Sequence, residues 1–157
     1  TAMQDEHEAL KTKQMEFAQQ YAESNPSEVS EVSWLYAIRQ KGSYPRPTPR
    51  SEKWLIFVDR NEVDTVWATI KQTTEAGKLG GSAKVATAKP NPYATGPKTK
   101  VICVYTYDWT DEGDVRRIRA ELRALGITQK IPYKADADTL RDTYRVTGHR
   151  RISKYFE

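Results

Sequence analysis

GKLGGSAKVATA, residues 77–88, decides the fold. The helical periodicity before it stops at Gly77, a glycine turn reverses the backbone, and an alternating run opens with Ser82 and Lys84. Glycine reaches positive φ at no steric cost and lets a ligand approach the main chain. Two readings of the turn follow. One is an anion site of main-chain N–H groups at Gly80 and Gly81, with Lys78, Ser82 and Lys84 around a phosphate. The other is a helix C-cap followed by a solvated turn. The spacing matches neither a P-loop nor a dinucleotide fingerprint.

Upstream of this stretch, WLIFV at 54–58 reads as a buried strand. Asp59 and Asn61 are turn or N-cap residues, and Val63, Val66, Trp67 and Ile70 recur at helical spacing. Downstream, residues 82–88 form a strand and KPNPYATGPKT at 89–99 a long basic loop. VICVY at 101–105 is the strongest strand of the chain. Thr110 or Asp111 caps the next helix, with Glu112 and Asp114 in its first turn. Val115, Ile118, Leu122 and Leu125 form its core face, Arg116, Arg117, Arg119 and Arg123 lie mostly on the other faces, and Gly126 ends it. A short strand spans 130–134, followed by a helical turn over 136–142 and a basic tail over 145–154. From Trp54 to Lys134 the order is thus β-α-β-β-α-β. This is an α+β fold with a split β-α-β core, an antiparallel sheet and helices on one face.

Toward the N-terminus, residues 3–23 suit an amphipathic helix with a Leu10, Met15, Phe17, Ala18 and Tyr21 stripe. Ser27-Glu28 and Ser30-Glu31 predict a second helix to about Gln40 that buries Trp34, Leu35 and Ile38. GSYPRPTPR at 42–50 is an extended Pro-rich linker carrying Arg46 and Arg50. The expected organisation is a helical leader over 1–41, the linker over 42–50, and one α+β domain over 51–157 with the leader packed on it.

The 157 residues suffice for one domain with a real core. No apolar run is long enough to cross a bilayer, and Thr1-Ala2-Met3-Gln4 carries no secretory pattern. The single cysteine, Cys103, has no internal partner for a disulfide and sits in an apolar strand, so a buried inert thiol in a reducing compartment is expected. That points to the cytoplasm, with the nucleus also open. Residues 1–33 hold seven acids against two bases, whereas the rest of the chain carries 23 bases and 14 acids. A basic body beneath an acidic leader suits a polyanion, although a solubilising surface has the same composition.

No metal site has recognisable spacing, because His7 and His149 are the only histidines and Cys103 has no neighbouring ligand in sequence. No cofactor is implied. Asp108, Asp111, Glu112 and Asp114 read as a helix N-terminus stabilised by acids. Trp109, just past a strand end and beside Asp108, is a candidate stacking platform: the ring would hold a base and the carboxylate would accept its N–H groups. A rim residue packed under the tail is the alternative. Lys84 and Lys134, on strands, with Arg141 and Arg145, form a cationic set that would make a phosphate pocket if it converged with the glycine turn.

KWLIFVD (53–59), the Trp67 helix, GKLGGSAKVAT (77–87), VICVYTYDWTDEGDVRRIRAELRALGI (101–127) and YKADADT (133–139) occur in one order. Together they resemble the eukaryotic family typified by the basophilic-leukaemia-expressed protein, catalogued as a domain of unknown function, over roughly residues 30–157. The resemblance implies a fold similar to the messenger-RNA cap-binding translation initiation factors, with a curved antiparallel sheet backed by helices and a capped nucleotide on the concave side. The family's motif lysines and glycines match Lys78, Gly80, Ser82, Lys84 and Lys134, and Tyr105, Asp108 and Asp111 also fall on its motif.

Three functional expectations result. The first is a nucleotide- or RNA-binding module, partnered by RNA or a capped or phosphorylated nucleotide. In it Lys78, Gly80, Gly81, Ser82, Lys84, Lys134 and Arg145 hold phosphate, Trp109 stacks and Asp108 accepts. The second is a phosphate-directed lyase or hydrolase with Lys84 or Lys134 as base and Tyr105 or Tyr107 as proton donor; scarcity of histidine and paired acids ranks it below binding. The third is an interaction scaffold that docks a protein through the acidic leader helix and the Pro-rich strap.

Overall fold

Along 34–37 and 82–85 burial alternates with period two, whereas 52–56 and 102–104 are buried on both faces. The computed structural model of the chain describes residues 9, 12, 13, 15–90, 98–135 and 155–157, with backbone alone at 134 and 135. A 3-10 turn over Pro26–Glu28 leads to β1 (Trp34–Ile38) and β2 (Glu52–Asp59). Then come α1 (Val63–Glu75), β3 (Ser82–Ala86), β4 (Thr99–Tyr105), α2 (Glu112–Ala124), β5 (Pro132–Ala135) and β6 (Tyr155–Phe156). The six strands form one curved, open sheet in the order β1-β3-β4-β2-β5-β6, with antiparallel neighbours throughout. Its inner four, β3-β4-β2-β5, are the split β-α-β arrangement that the order of elements predicts.

The core joins Leu35, Ala37, Trp54, Ile56, Ala83, Val85, Ile102, Val104 and Tyr133 of the sheet to both helices. Helix α1 contributes Val63, Trp67 and Ile70, and α2 contributes Val115, Ile118 and Leu122, each set at helical spacing. Asp111 rather than Thr110 caps α2, accepting from the Asp114 N–H at 3.1 Å. Neither Asp59 nor Asn61 caps α1. Glu62 stands at that position without a side-chain cap bond, while Asp59 Oδ1 accepts the Asn61 N–H in the preceding turn. Arg119 departs from the expected exposed arginine face: it is buried and donates to the carbonyls of Ile127, Gln129 and Glu157. Three main-chain acceptors replace the water its guanidinium gives up.

The helix expected to end near Gln40 does not form. Residues 34–38 are the edge strand β1, paired with β3 from Trp34–Ala86 to Ile38–Ser82. Aromatic and β-branched side chains favour the pleated surface, and β1 supplies partners for backbone groups that the edge of β3 would otherwise leave unpaired. Residues 15–20 are helical, as the N-terminal stripe predicts, and Phe17 meets Tyr36 of β1 edge-on, ring centroids 5.7 Å apart. The remainder of the predicted N-terminal helix, the turn over 136–142 and the tail over 145–154 lie outside the described residues.

Because β3 and β4 separate β1 from β2, the Pro-rich linker has to cross their ends. It does so as a hydrogen-bonded strap. The Thr48 N–H donates to the Tyr107 carbonyl at 3.0 Å, the Ser51 hydroxyl to the Thr106 carbonyl at 2.7 Å, and the Tyr44 hydroxyl to Asp114 at 2.5 Å. The β4 end sits so close to the turn after α1 that a Cβ on Gly80 would overlap the Tyr105 carbonyl oxygen. Gly80→Ala is therefore expected to destabilise the chain by about 1–3 kcal/mol, the usual cost of overpacking, measured as a lowered denaturation midpoint with unchanged m-value.

Candidate functional site

The second face of the sheet, turned away from α1 and α2, is set by the register. Trp34 and Tyr36 of β1, Ser82 and Lys84 of β3, Cys103 and Tyr105 of β4, and Lys53 and Leu55 of β2 share it. On it, cations and rings alternate across four strands. The Lys84 ammonium sits over the Trp34 ring, 4.1 Å from its centroid, and also 5.8 Å from the Tyr105 ring. The Lys53 ammonium approaches Tyr105 at 5.8 Å. Lys134 occupies the register position opposite Lys53 on β5, one strand further on. Among the described residues no carboxylate pairs with Lys84.

This arrangement has a chemical consequence. A lysine held over a ring gains about 0.5–1 kcal/mol at an exposed site, whereas a hydrogen bond to a charged acceptor contributes about 1.5–3 kcal/mol. An anion arriving at the row therefore outcompetes the rings for the Lys84 ammonium. Beside the row lies a small open hollow of about 70 Å³, lined by Tyr44, Pro45, Pro47, Ser51, Gly81, Ser82 and Tyr105–Tyr107. The strap forms one wall, and the start of β3 and the end of β4 the other.

Several sequence-predicted residues meet here and others do not. Gly81, Ser82 and Tyr105 line the hollow, and Lys84 adjoins it. The glycine turn is a helix C-cap. Gly77, at φ +81°, donates to Thr74 and Lys78 donates to Thr73. Its carbonyls face cations: Arg117 donates to the Lys78 and Leu79 oxygens and Arg39 to Leu79. Lys78 is exposed, and Gly80 is buried against Tyr105.

Trp109 and Asp108 stand elsewhere. Trp109 packs against the core cluster, its main-chain N–H donating to the Arg50 carbonyl and its carbonyl accepting from the Tyr155 hydroxyl. Asp108 is buried, and its oxygens are filled by the Arg50 guanidinium, with one contact at 2.7 Å, by both the N–H and hydroxyl of Thr110, and by the Thr48 hydroxyl. The Arg50 hydrogen bonds, with those from Thr110, hold its carboxyl well below the usual carboxylate range. Tyr107 donates to Asp111, and that bond pushes its hydroxyl up to about 12. Arg141, Arg145 and the Lys134 side chain lie outside the described residues.

Sequence reasoning missed Trp34 and Lys53. Lys53 carried a signal, since it is one position out of phase with Trp54 and so faces the other side of the sheet, whereas Trp34 heads the apolar run WLYAI, whose pattern fits either period.

The chain matches the family model of basophilic leukemia-expressed protein Bles03 over residues 48–140. Among solved structures it is similar to Ascaris suum eIF4E-3 in complex with an m7G cap, at TM-score 0.57 and 16% identity over 90% of this chain and 78% of that one. It is likewise similar to the same protein with an m2,2,7G cap, at TM-score 0.55 and 17% identity over 90% and 79%. At that identity the likeness is one of fold.

The Asp108 contacts generate a pH prediction. Its folded pKa is depressed, so the stability it contributes is fully present above the ordinary carboxylate pKa of about 4 and is lost as pH falls through the folded value. Asp108→Asn is expected to lower the denaturation midpoint at pH 7 and to shrink the fall in stability between about pH 4 and pH 2, checked by denaturant titrations at each pH.

Proposed function

This chain belongs to the Bles03 family, and from its fold and the residues of its second sheet face we propose that it is a nucleotide- or RNA-binding module. The observation that carries the reading is Lys84 suspended between Trp34 and Tyr105, with Lys53 on the same ring of Tyr105. Interleaved cations and rings match a ligand of interleaved phosphates and bases. Lys84 contacts a phosphate oxygen, Trp34 stacks on a base, and Ser82 and the Gly81 backbone at the hollow add polar contacts. Lys134, at the next register position, extends the row. The same fold carries a cap in the Ascaris complexes, which supports the reading without specifying the ligand.

Anisotropy of a labelled short single-stranded RNA tests it. One or two phosphate contacts, from Lys84 and Lys134, predict a slope of roughly −0.7 to −1.4 for log K against log salt. Lys84→Gln is expected to weaken binding about ten-fold and to reduce that slope by about 0.7. Trp34→Ala is expected to weaken binding by a similar factor, through the roughly 1–3 kcal/mol of a lost stacking contact, and to leave the slope unchanged. Absence of binding at low salt defeats the proposal.

A further inference from the structure

We propose that Thr48 is a phosphorylation site, and that a phosphate there unfastens the strap over residues 42–50 from the loop after β4. Thr48 is the one serine or threonine of the chain that a proline follows, in the sequence PRPTPR at 45–50. A kinase that reads a proline directly after its acceptor is therefore offered a single position. Pro45, Arg46, Pro47, Pro49 and Arg50 around it are exposed, and Thr48 itself is half-buried. Prolines at alternate positions fix φ, and each disfavours helix at the residue before it. The segment thus approaches the extended form that a kinase cleft takes up, with little entropy left to lose. One turn has to open: the Ser51 N–H closes onto the Thr48 carbonyl at 2.9 Å. In the transfer the Thr48 Oγ attacks the γ-phosphorus of ATP, the bond from that phosphorus to ADP breaks, and the hydroxyl proton passes to the kinase's carboxylate base.

The consequence follows from what the hydroxyl does now. Its proton is shared between the Tyr107 carbonyl at 3.2 Å and Asp108 Oδ2 at 3.1 Å. Esterification removes that proton and adds a group of charge about −1.5 to −2 in its place. Asp108 is buried and ionised at neutral pH, so the new charge meets a carboxylate packed beside it. Three of the five donor groups on Asp108 come from the strap: the Thr48 hydroxyl and the Nε and Nη2 of Arg50. The phosphate removes the first and competes for the guanidinium with three oxygens of its own. Asp108 then keeps Thr110 alone of these partners, with a like charge alongside. Tyr44, Pro45, Pro47 and Ser51 wall the hollow from the strap side, so release of the strap opens it.

Incubating the intact chain with ATP and a purified proline-directed kinase, of the mitogen-activated or the cyclin-dependent class, tests the site by peptide mass spectrometry. Phosphate on Thr48 is expected. Amide hydrogen exchange reads the release. The main-chain N–H groups of Thr48 and Trp109 bridge strap and loop, donating to the Tyr107 and Arg50 carbonyls at 3.0 and 2.9 Å. In the phosphorylated chain both are expected to exchange about ten-fold faster, while α1 and β4 keep their rates. In Asp108→Asn, which has no charge to repel, the phosphate is expected to add less than about two-fold. Thr48→Val removes the hydroxyl, adds no charge and needs no kinase; its rise is expected to fall short of that in the phosphorylated chain. No phosphate on Thr48 from either kinase overturns the proposal. So does a phosphate that leaves exchange unchanged, or slows it by tying Arg50 more firmly to the strap. An equal rise in Asp108→Asn or in Thr48→Val overturns it as well.

Discussion

Burial of Trp54 is the constraint on which the rest of the molecule depends. Its indole is fully enclosed, its N–H donates to the Val115 carbonyl of α2 at 3.1 Å, and its ring meets Tyr133 edge-on at 5.1 Å. That contact locks the central strand to a helix. It also fixes the phase of β2, since a shift of one residue would carry Lys53 into the apolar core and take Trp54 out of it. With β2 in phase, its pairing with β4 turns Tyr105 to the second face, and the pairing of β4 with β3 turns Lys84 there too. The cation–ring row is a consequence of where one tryptophan is buried.

The strap and the Arg50–Asp108 contact serve that arrangement at its rim. Topology obliges residues 42–50 to pass over the ends of two strands, and Tyr44, Thr48 and Ser51 tie them down. Arg50 and Asp108 then join the start of β2 to the loop after β4. The carboxylate that sequence adjacency to Trp109 pairs with a base is instead a fastening for the strap, which forms one wall of the hollow. An acid with five donors around its carboxylate has no lone pair left for a ligand, however well placed in the sequence.

The elements most legible in the sequence were those whose pattern is local. VICVY, WLIFV and the two helices with apolar residues at 63, 66, 67 and 70 and at 115, 118 and 122 announce themselves by periodicity, and their order alone yields the split β-α-β sheet. Residues 34–38 misled because a five-residue apolar run fits either period, and the choice was made by β3, some fifty residues away, whose free edge accepts a strand. Arg119 misled for a related reason: the carbonyls that satisfy it come from the turn after α2 and from Glu157, which no helical wheel displays.

The candidate site divides along the same line. By itself the sequence determined that a lysine stands on a strand after a glycine turn, that the body of the chain is basic, and that its fold is an antiparallel sheet backed by helices, because charge and periodicity are properties of neighbours along the chain. Only the tertiary structure decided that Lys84 lies between Trp34 and Tyr105, that the glycine turn offers its carbonyls to arginines, and that Trp109 packs, half-buried, against the core. Those are pairings across strands and between distant segments, fixed by register and by the burial of Trp54.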